Sequence, residues 1–231
     1  SNYHVDACAD NYWVMFDYNR GYADDLEASG IMSLERLPKF SWHYFRSQRS
    51  PLEHPMVFIA HYWDGTDTAL VEVQVLSNAE QVGLWLNDKL VERRDPPFTF
   101  VVPRFEKGWI KAGAYYAGQL CARDSVHTPS EAVAVEWWLD TGNIPASAND
   151  LLFVYAKAVD RQGHPVPSAK GRVLFTLEGQ EMWLIGEEPG GSVVQTLRAE
   201  APLRAGIAFA LLQLTPLWDG SQPQLTVTMN P

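Results

Sequence analysis

Downstream of about residue 55 the chain alternates apolar and polar positions with a period of two. Val71, Val73 and Val75 alternate with Glu72 and Gln74, and Val82, Leu84 and Leu86 alternate with Gly83, Trp85 and Asn87. Phe98, Phe100 and Val102 form a third run, Gly108 to Ala112 begins a fourth, and Ala132 to Leu139 supplies a last one. Successive side chains of a strand point to opposite faces, so each run predicts a strand with one buried face. Asn87-Asp88, set between Leu86 and Lys89-Leu90, predicts a tight hairpin turn. Short strands at this spacing predict a β-sandwich over residues 52–140.

The texture then breaks. Residues 140–149 are rich in Gly, Pro, Ser and Asn and read as a linker. Strand-like runs resume at Leu152 to Ala156, Val173 to Leu177, Ile207 to Leu214 and Leu225 to Thr228, with a hairpin-type turn at Asp160-Arg161-Gln162-Gly163. They predict a second, immunoglobulin-like sandwich over residues 141–231, and the acidic, Gly-rich stretch Glu187-Glu188-Pro189-Gly190-Gly191 predicts an exposed loop within it.

The first 51 residues follow neither pattern. Tyr12 to Phe16 is a short apolar run that predicts a fully buried strand. Pro38 suits a first helical turn, and Phe40, Tyr44 and Phe45 with Gln48 give one short helical face before Ser50-Pro51 breaks it.

Composition narrows what such a chain does. The 18 basic and 28 acidic residues leave a net charge of −10, and no basic run concentrates the positive charge. Binding to nucleic acid or to an anionic membrane is therefore not expected. No apolar run approaches the roughly 20 residues that span a bilayer. The opening Ser1-Asn2-Tyr3-His4 has no basic region and no apolar core of the kind a signal peptide needs. Cys8 and Cys121 are far apart and suggest two buried thiols rather than a disulfide framework or a metal site.

Candidate chemistry is sparse. There is no Gly-x-Ser-x-Gly elbow and no phosphate-binding glycine loop. His4-x-Asp6 is the nearest approach to a metal pair, and Asp64-Gly65-Thr66-Asp67 resembles part of a calcium loop without the later ligands, so neither a metal nor a cofactor is expected. Asp17, Asp24, Asp25 and Glu27 form an acidic cluster, either a solvated loop or part of a glycosidase carboxylate set. Glycoside hydrolysis needs two carboxylates roughly 5–10 Å apart across the sugar bond. Nine Trp are many for this length. Trp63, Trp85, Trp109, Tyr115 and Tyr116 are candidates either for sugar stacking or for packing between sheets.

Asn11-Tyr12-Trp13-Val14-Met15-Phe16-Asp17-Tyr18-Asn19-Arg20-Gly21-Tyr22, then Ser29-Gly30-Ile31-Met32 and Arg36-Leu37-Pro38-Lys39-Phe40, resemble a stretch of family 2 glycoside hydrolases, the β-galactosidase-like enzymes. In that family a strand ending in Trp-x-x-Phe-Asp-Tyr is the last of the catalytic (β/α)8 barrel, and a Pro-Lys helix follows. Val75 to Val82 and Leu84-Trp85-Leu86-Asn87 resemble the family's first sandwich after the barrel, with Asp88 where a glycine is usual. Asn149 to Val154, Val159 to Gly163 with Pro167, Gly186 and Ala205-Gly206-Ile207-Ala208 resemble the immunoglobulin-like domain after it.

The resemblance implies a mainly β chain: residues 1–51 from the end of the barrel, a first sandwich over 52–140 and a second over 141–231. It implies a parent enzyme that hydrolyses terminal β-glycosidic bonds, retaining through a glycosyl-enzyme intermediate, with β-galactoside as the first substrate, then β-glucuronide and β-mannoside. The partners implied are the rest of the barrel and a carbohydrate. The family's two catalytic glutamates lie before the Trp13 motif, and no glutamate precedes Glu27, so the chain alone is expected to be inactive. Trp13, Asp17 and Asn19 are the implied substrate-binding residues. A carbohydrate-binding or purely structural sandwich module is the alternative.

Overall fold

The computed structural model describes residues 11–23, 25–65, 70–179, 182–187 and 193–230. Two compact units divide it, Ser1–Val126 and His127–Pro231.

The first unit opens with a two-strand ribbon, β1 (Tyr18–Asn19) against β2 (Leu26–Glu27), and the helix α1 (Phe40–Arg46). Its sandwich has a three-stranded sheet of β3 (Val57–Ile59), β4 (Val71–Ser77) and, after β5 (Gln81–Leu86) and β6 (Lys89–Arg94), β7 (Thr99–Val102). The facing sheet has the order β6-β5-β8-β9, with β8 (Trp109–Tyr116) and β9 (Gln119–His127). The alternation in the sequence becomes the core: Val73, Val75, Val82, Leu84, Phe100, Val102, Ile110, Ala112 and Ala114 all turn inward and are buried. Asn87 and Asp88 join β5 to β6 with φ of 47° and 64°, the paired left-handed conformation of a type I′ turn. The Asn87 amide and carbonyl are both used, donating to Lys107 O (2.9 Å) and accepting from Trp109 N (2.9 Å). The half-buried carboxylate of Asp124 accepts from the Ile59 N–H (2.7 Å) and ties β9 to β3, and its partial burial raises its pKa.

The second unit pairs a five-stranded sheet, order β10-β11-β16-β13-β14, with a three-stranded one, order β15-β12-β17. The strands are β10 (Ala134–Asp140), β11 (Leu151–Val159), β12 (Arg172–Glu178), β13 (Met182–Glu187), β14 (Val193–Thr196), β15 (Arg198–Pro202), β16 (Ile207–Leu214) and β17 (Gln224–Asn230). Val154, Ala156, Val173, Phe175, Leu184, Ala210 and Leu212 fill its core. The chain is thus mainly β, with two sandwich units.

Three expectations need correction. The strand expected to finish the first sandwich is β10, and it pairs along its whole length with β11, Ala134 opposite Val159 through Asp140 opposite Phe153. The boundary between units therefore falls after Val126, not after residue 140. Residues 141–150 are the connection of this β10–β11 hairpin, not a linker between domains. Gly142, Asn143 and Asn149 take positive φ there, and Asp140 and Asp150 accept backbone N–H groups of Gly142 and Ser147. Turn-forming residues serve either kind of connection, and alternation marks a strand without naming its partner. The third correction is local. Tyr12 to Phe16 forms no strand, and Tyr12, Trp13 and Met15 are exposed; only Phe16 bridges, in parallel with Met32. Pro38 also sits just before the helix rather than inside it, with Lys39 at the N-cap.

His4, Asp6, Cys8, Asp24, Asp67 and residues 188–192 lie outside the described residues. Cys121 is a half-buried free thiol. Among the described residues, no helix is long and apolar enough to cross a membrane, and no cluster of His, Cys, Asp or Glu suits a metal ion.

Candidate functional site

Residues 11–39 fold as one pinned loop. Its backbone is stitched by Ile31 N to Val14 O (3.1 Å), Met32 N to Met15 O (2.9 Å), Asp17 N to Met32 O (3.0 Å) and Lys39 N to Ile31 O (3.2 Å). The centre of the loop is Asp17, only 5% exposed. Its carboxylate accepts from the Gly30 N–H (2.8 Å) and from Lys39 Nζ, which reaches both oxygens at 2.9 and 3.2 Å. Lys39 Nζ also donates to Ala28 O (2.8 Å), so one ammonium holds both arms of the loop. A carboxylate out of water persists when charge and N–H donors satisfy it, and here both do.

Gly30 is forced by closeness. A Cβ there would lie 2.3 Å from the Asp17 backbone nitrogen and 2.6 Å from Asp17 Oδ1. Asp25 and Glu27 are also engaged. Arg20 donates to Glu27 and lies 3.4 Å from Asp25, and that guanidinium, with help from Ser29, holds the Glu27 carboxyl below its usual range. The aromatic rings at the edge are arranged edge-on: Tyr12 with Phe45 (5.0 Å) and Trp13 with Tyr18 (6.3 Å).

Trp13, Asp17 and Asn19 therefore share one loop but not one surface. Trp13 is 71% exposed, with its indole N–H donating to Tyr18 Oη at 3.2 Å and a cis peptide following it. Asn19 is exposed on β1. Asp17 points inward and is occupied. Sequence reasoning did not find Lys39 and Gly30 as its partners; both stood in the quoted motifs, but nothing in spacing alone announces a contact 22 residues away.

The aromatics further along separate cleanly. Trp63 is fully buried, donating to Glu106 O (3.1 Å) and packing on Phe105 at 4.9 Å. Trp85, Trp109 and Tyr115 instead line one open trough on the first sandwich.

The similarity to known proteins extends over most of the chain. The β-galactosidase of Thermoanaerobacter pseudethanolicus is 32% identical over 208 residues, 77% of this chain and 27% of that protein. A β-glucuronidase of Formosa agariphila is 31% identical, again over 77% of this chain but 19% of its own length. The solved structure of a β-glucuronidase from glycoside hydrolase family 2 superposes on 89% of this chain and 23% of its own, with TM-score 0.69 and 26% identity. This chain corresponds to a segment of a family 2 glycoside hydrolase. It spans between 19% and 27% of the length of these relatives. A β-glycosidase from Bacteroides vulgatus, at 19% identity and TM-score 0.77 over 93% of the chain, shares the fold. Residues 69–122, most of the first sandwich, also match a domain of unknown function, DUF4982.

Proposed function

We propose that this family 2 segment supplies the end of a catalytic (β/α)8 barrel, its closing loop and helix, together with two sandwiches that buttress it. The complete enzyme hydrolyses a terminal β-glycosidic bond with retention, a β-galactoside first and a β-glucuronide or β-mannoside next. Trp13 forms part of the sugar-site wall and Asn19 part of its rim. Asp17 serves that rim indirectly, by holding the loop that carries both.

One observation carries this: the loop is locked beneath by the Asp17–Lys39–Gly30 set, yet offers an indole that is 71% exposed. Barrel sites lie at the C-terminal ends of the strands, and an apolar ring face suits the C–H face of a sugar. The names of the relatives support the reaction class. The 231 residues themselves are non-catalytic in this scheme. Asp17, Asp25 and Glu27 are each bound to Lys39 or Arg20, so these described carboxylates of the cluster offer no free pair of the kind the retaining mechanism needs. The test is Trp13→Ala in the complete enzyme, with folding checked. A fall of roughly 10-fold or more in kcat/KM, about 1.4 kcal/mol, is expected, and an unchanged value defeats the proposal.

A further inference from the structure

The outer face of the β6-β5-β8-β9 sheet is built in an unusual way. Gly83 on β5 and Gly113 on β8 are directly paired across the two central strands, on the face opposite the core. The six-membered ring of Trp85 lies over that pair: a Cβ on Gly83 would stand 2.4 Å from Trp85 Cη2, and one on Gly113 would stand 3.3 Å from Cζ3. Glycine inside a strand weakens it and commonly marks a close approach. Here two glycines seat an indole that adds nothing to the sandwich core.

The seated indole forms the floor of an open trough of about 760 Å³, which Trp109 and Tyr115 also line. That volume lies within the roughly 300–1,000 Å³ of ordinary small-molecule sites. Its rim is charged. Lys111 sits opposite Trp85 in the register and donates to Asp88 Oδ1 at 2.7 Å. Arg123 is exposed on the next strand, and no carboxylate among the described residues pairs with it. Aromatic plates ringed by exposed donors and acceptors suit a molecule with apolar C–H faces and a hydroxylated edge.

We infer that this trough is a binding site for a segment of polysaccharide chain, separate from the Trp13 loop. Trp85 and Trp109 stack on pyranose faces, while Asp88, Lys111 and Arg123 take the hydroxyls, or the carboxylate of an acidic sugar. The inference does not depend on the reaction proposed above.

Affinity electrophoresis of the intact protein tests it, in native gels cast with a neutral β-galactan or an acidic β-glucuronan. Retardation in at least one gel is expected, with apparent affinity falling 10-fold or more in Trp109→Ala and less in Arg123→Ala. A net charge of −10 opposes unspecific retention by the acidic polymer, so retardation there marks the local basic groups. Both variants change exposed side chains, and thermal melting checks that they stay folded. Unaltered mobility in both gels, as a protein occupant would give, overturns the inference, and so does retardation that neither variant reduces. Hydrolysis of an aryl β-glycoside by the same protein is scored separately, so either idea can fail alone.

Discussion

Residues 11–39 and the sandwich that follows are stabilised by opposite means. The loop has almost no apolar core. Its large side chains Tyr12, Trp13, Met15 and Tyr22 are exposed, and its shape comes from backbone stitches and one buried carboxylate with a lysine and a glycine N–H. The sandwiches have few polar pins and two closed apolar cores. A core is redundant, because each side chain touches many others. A polar pin is not: losing one partner strands the rest without water. The loop can thus leave its large side chains exposed, at the cost of resting on very few residues.

The largest effect should come from the redundant region, because the removed volume is greatest there. Phe100→Ala and Phe175→Ala each remove a fully buried ring, and each should cost about 3–5 kcal/mol of unfolding free energy. Urea titration reads this directly. A loss below about 1 kcal/mol in both would mean that the cores are not what holds the sandwiches.

Asp17→Ala should cost less, about 1–3 kcal/mol, and the loss should be confined to the loop. Amide exchange across residues 14–39 should speed up while the urea midpoint of the sandwiches stays fixed. Gly30→Ala should do the same for a different reason, since its Cβ collides with the Asp17 backbone. If either variant lowers the sandwich midpoint as much as Phe100→Ala, the two regions are one cooperative unit and the contrast fails.

Among the described residues, the second sandwich has one buried polar pin of its own, Asp160 in the turn after β11. It is buried and accepts from the backbone N–H groups of Ser130, Gln162 and His164. Burial pushes its carboxyl up, but these donors and the His164 side chain outweigh that and hold it well below the usual carboxylate range. A depressed carboxylate stabilises above the unfolded pKa, near 3.9, and that contribution is lost as pH falls through the folded value. The denaturant midpoint should therefore drop between about pH 4 and pH 2, and Asp160→Asn should flatten the slope. An identical slope in the variant would assign the acid loss to other carboxylates.

Much of this contrast was legible in the sequence, but unequally. The period-two runs located strands accurately, β16 to the residue, because a half-buried strand must alternate. They could not say that β10 joins β11 rather than β9, because pairing is decided by which faces close on a common core. The Asn87-Asp88 turn was readable because few residues accept two positive φ values in succession. For the loop, the motif identified the segment, but the apolar run from Tyr12 to Phe16 suggested a buried strand. Composition does not distinguish a large apolar side chain left exposed from one that packs. The trough aromatics were equally ambiguous: Trp63 and Trp85 are indistinguishable by type, and only the Gly83–Gly113 pair separates the core indole from the surface one.

The smallest expected effect lies at the joint between the two regions. Helix α1 leads out of the loop and rests on the first sandwich through stacked rings, His43 on Phe58 at 3.5 Å and 6°, with Phe40 edge-on to Phe58 at 5.6 Å. Burial, with a smaller push from Arg46, lowers the His43 pKa to about 4. The ordinary value is about 6.5, so the folded state resists a proton that the unfolded state accepts. Above pH 6.5 both states are neutral and the contribution of His43 is complete. As pH falls from 6.5 to 4 the unfolded chain gains the proton first and stability declines; below 4 both are protonated and the slope ends. Half-burial lets solvent screen the charge, so the total should stay under about 1 kcal/mol. His43→Phe keeps the stacked ring and removes the proton, and should abolish the slope while holding α1 in place. The ring should show no NMR titration near pH 6.5. A midpoint there would mean that the helix is not seated on Phe58 in solution, and that the loop and the sandwich are coupled through the chain alone.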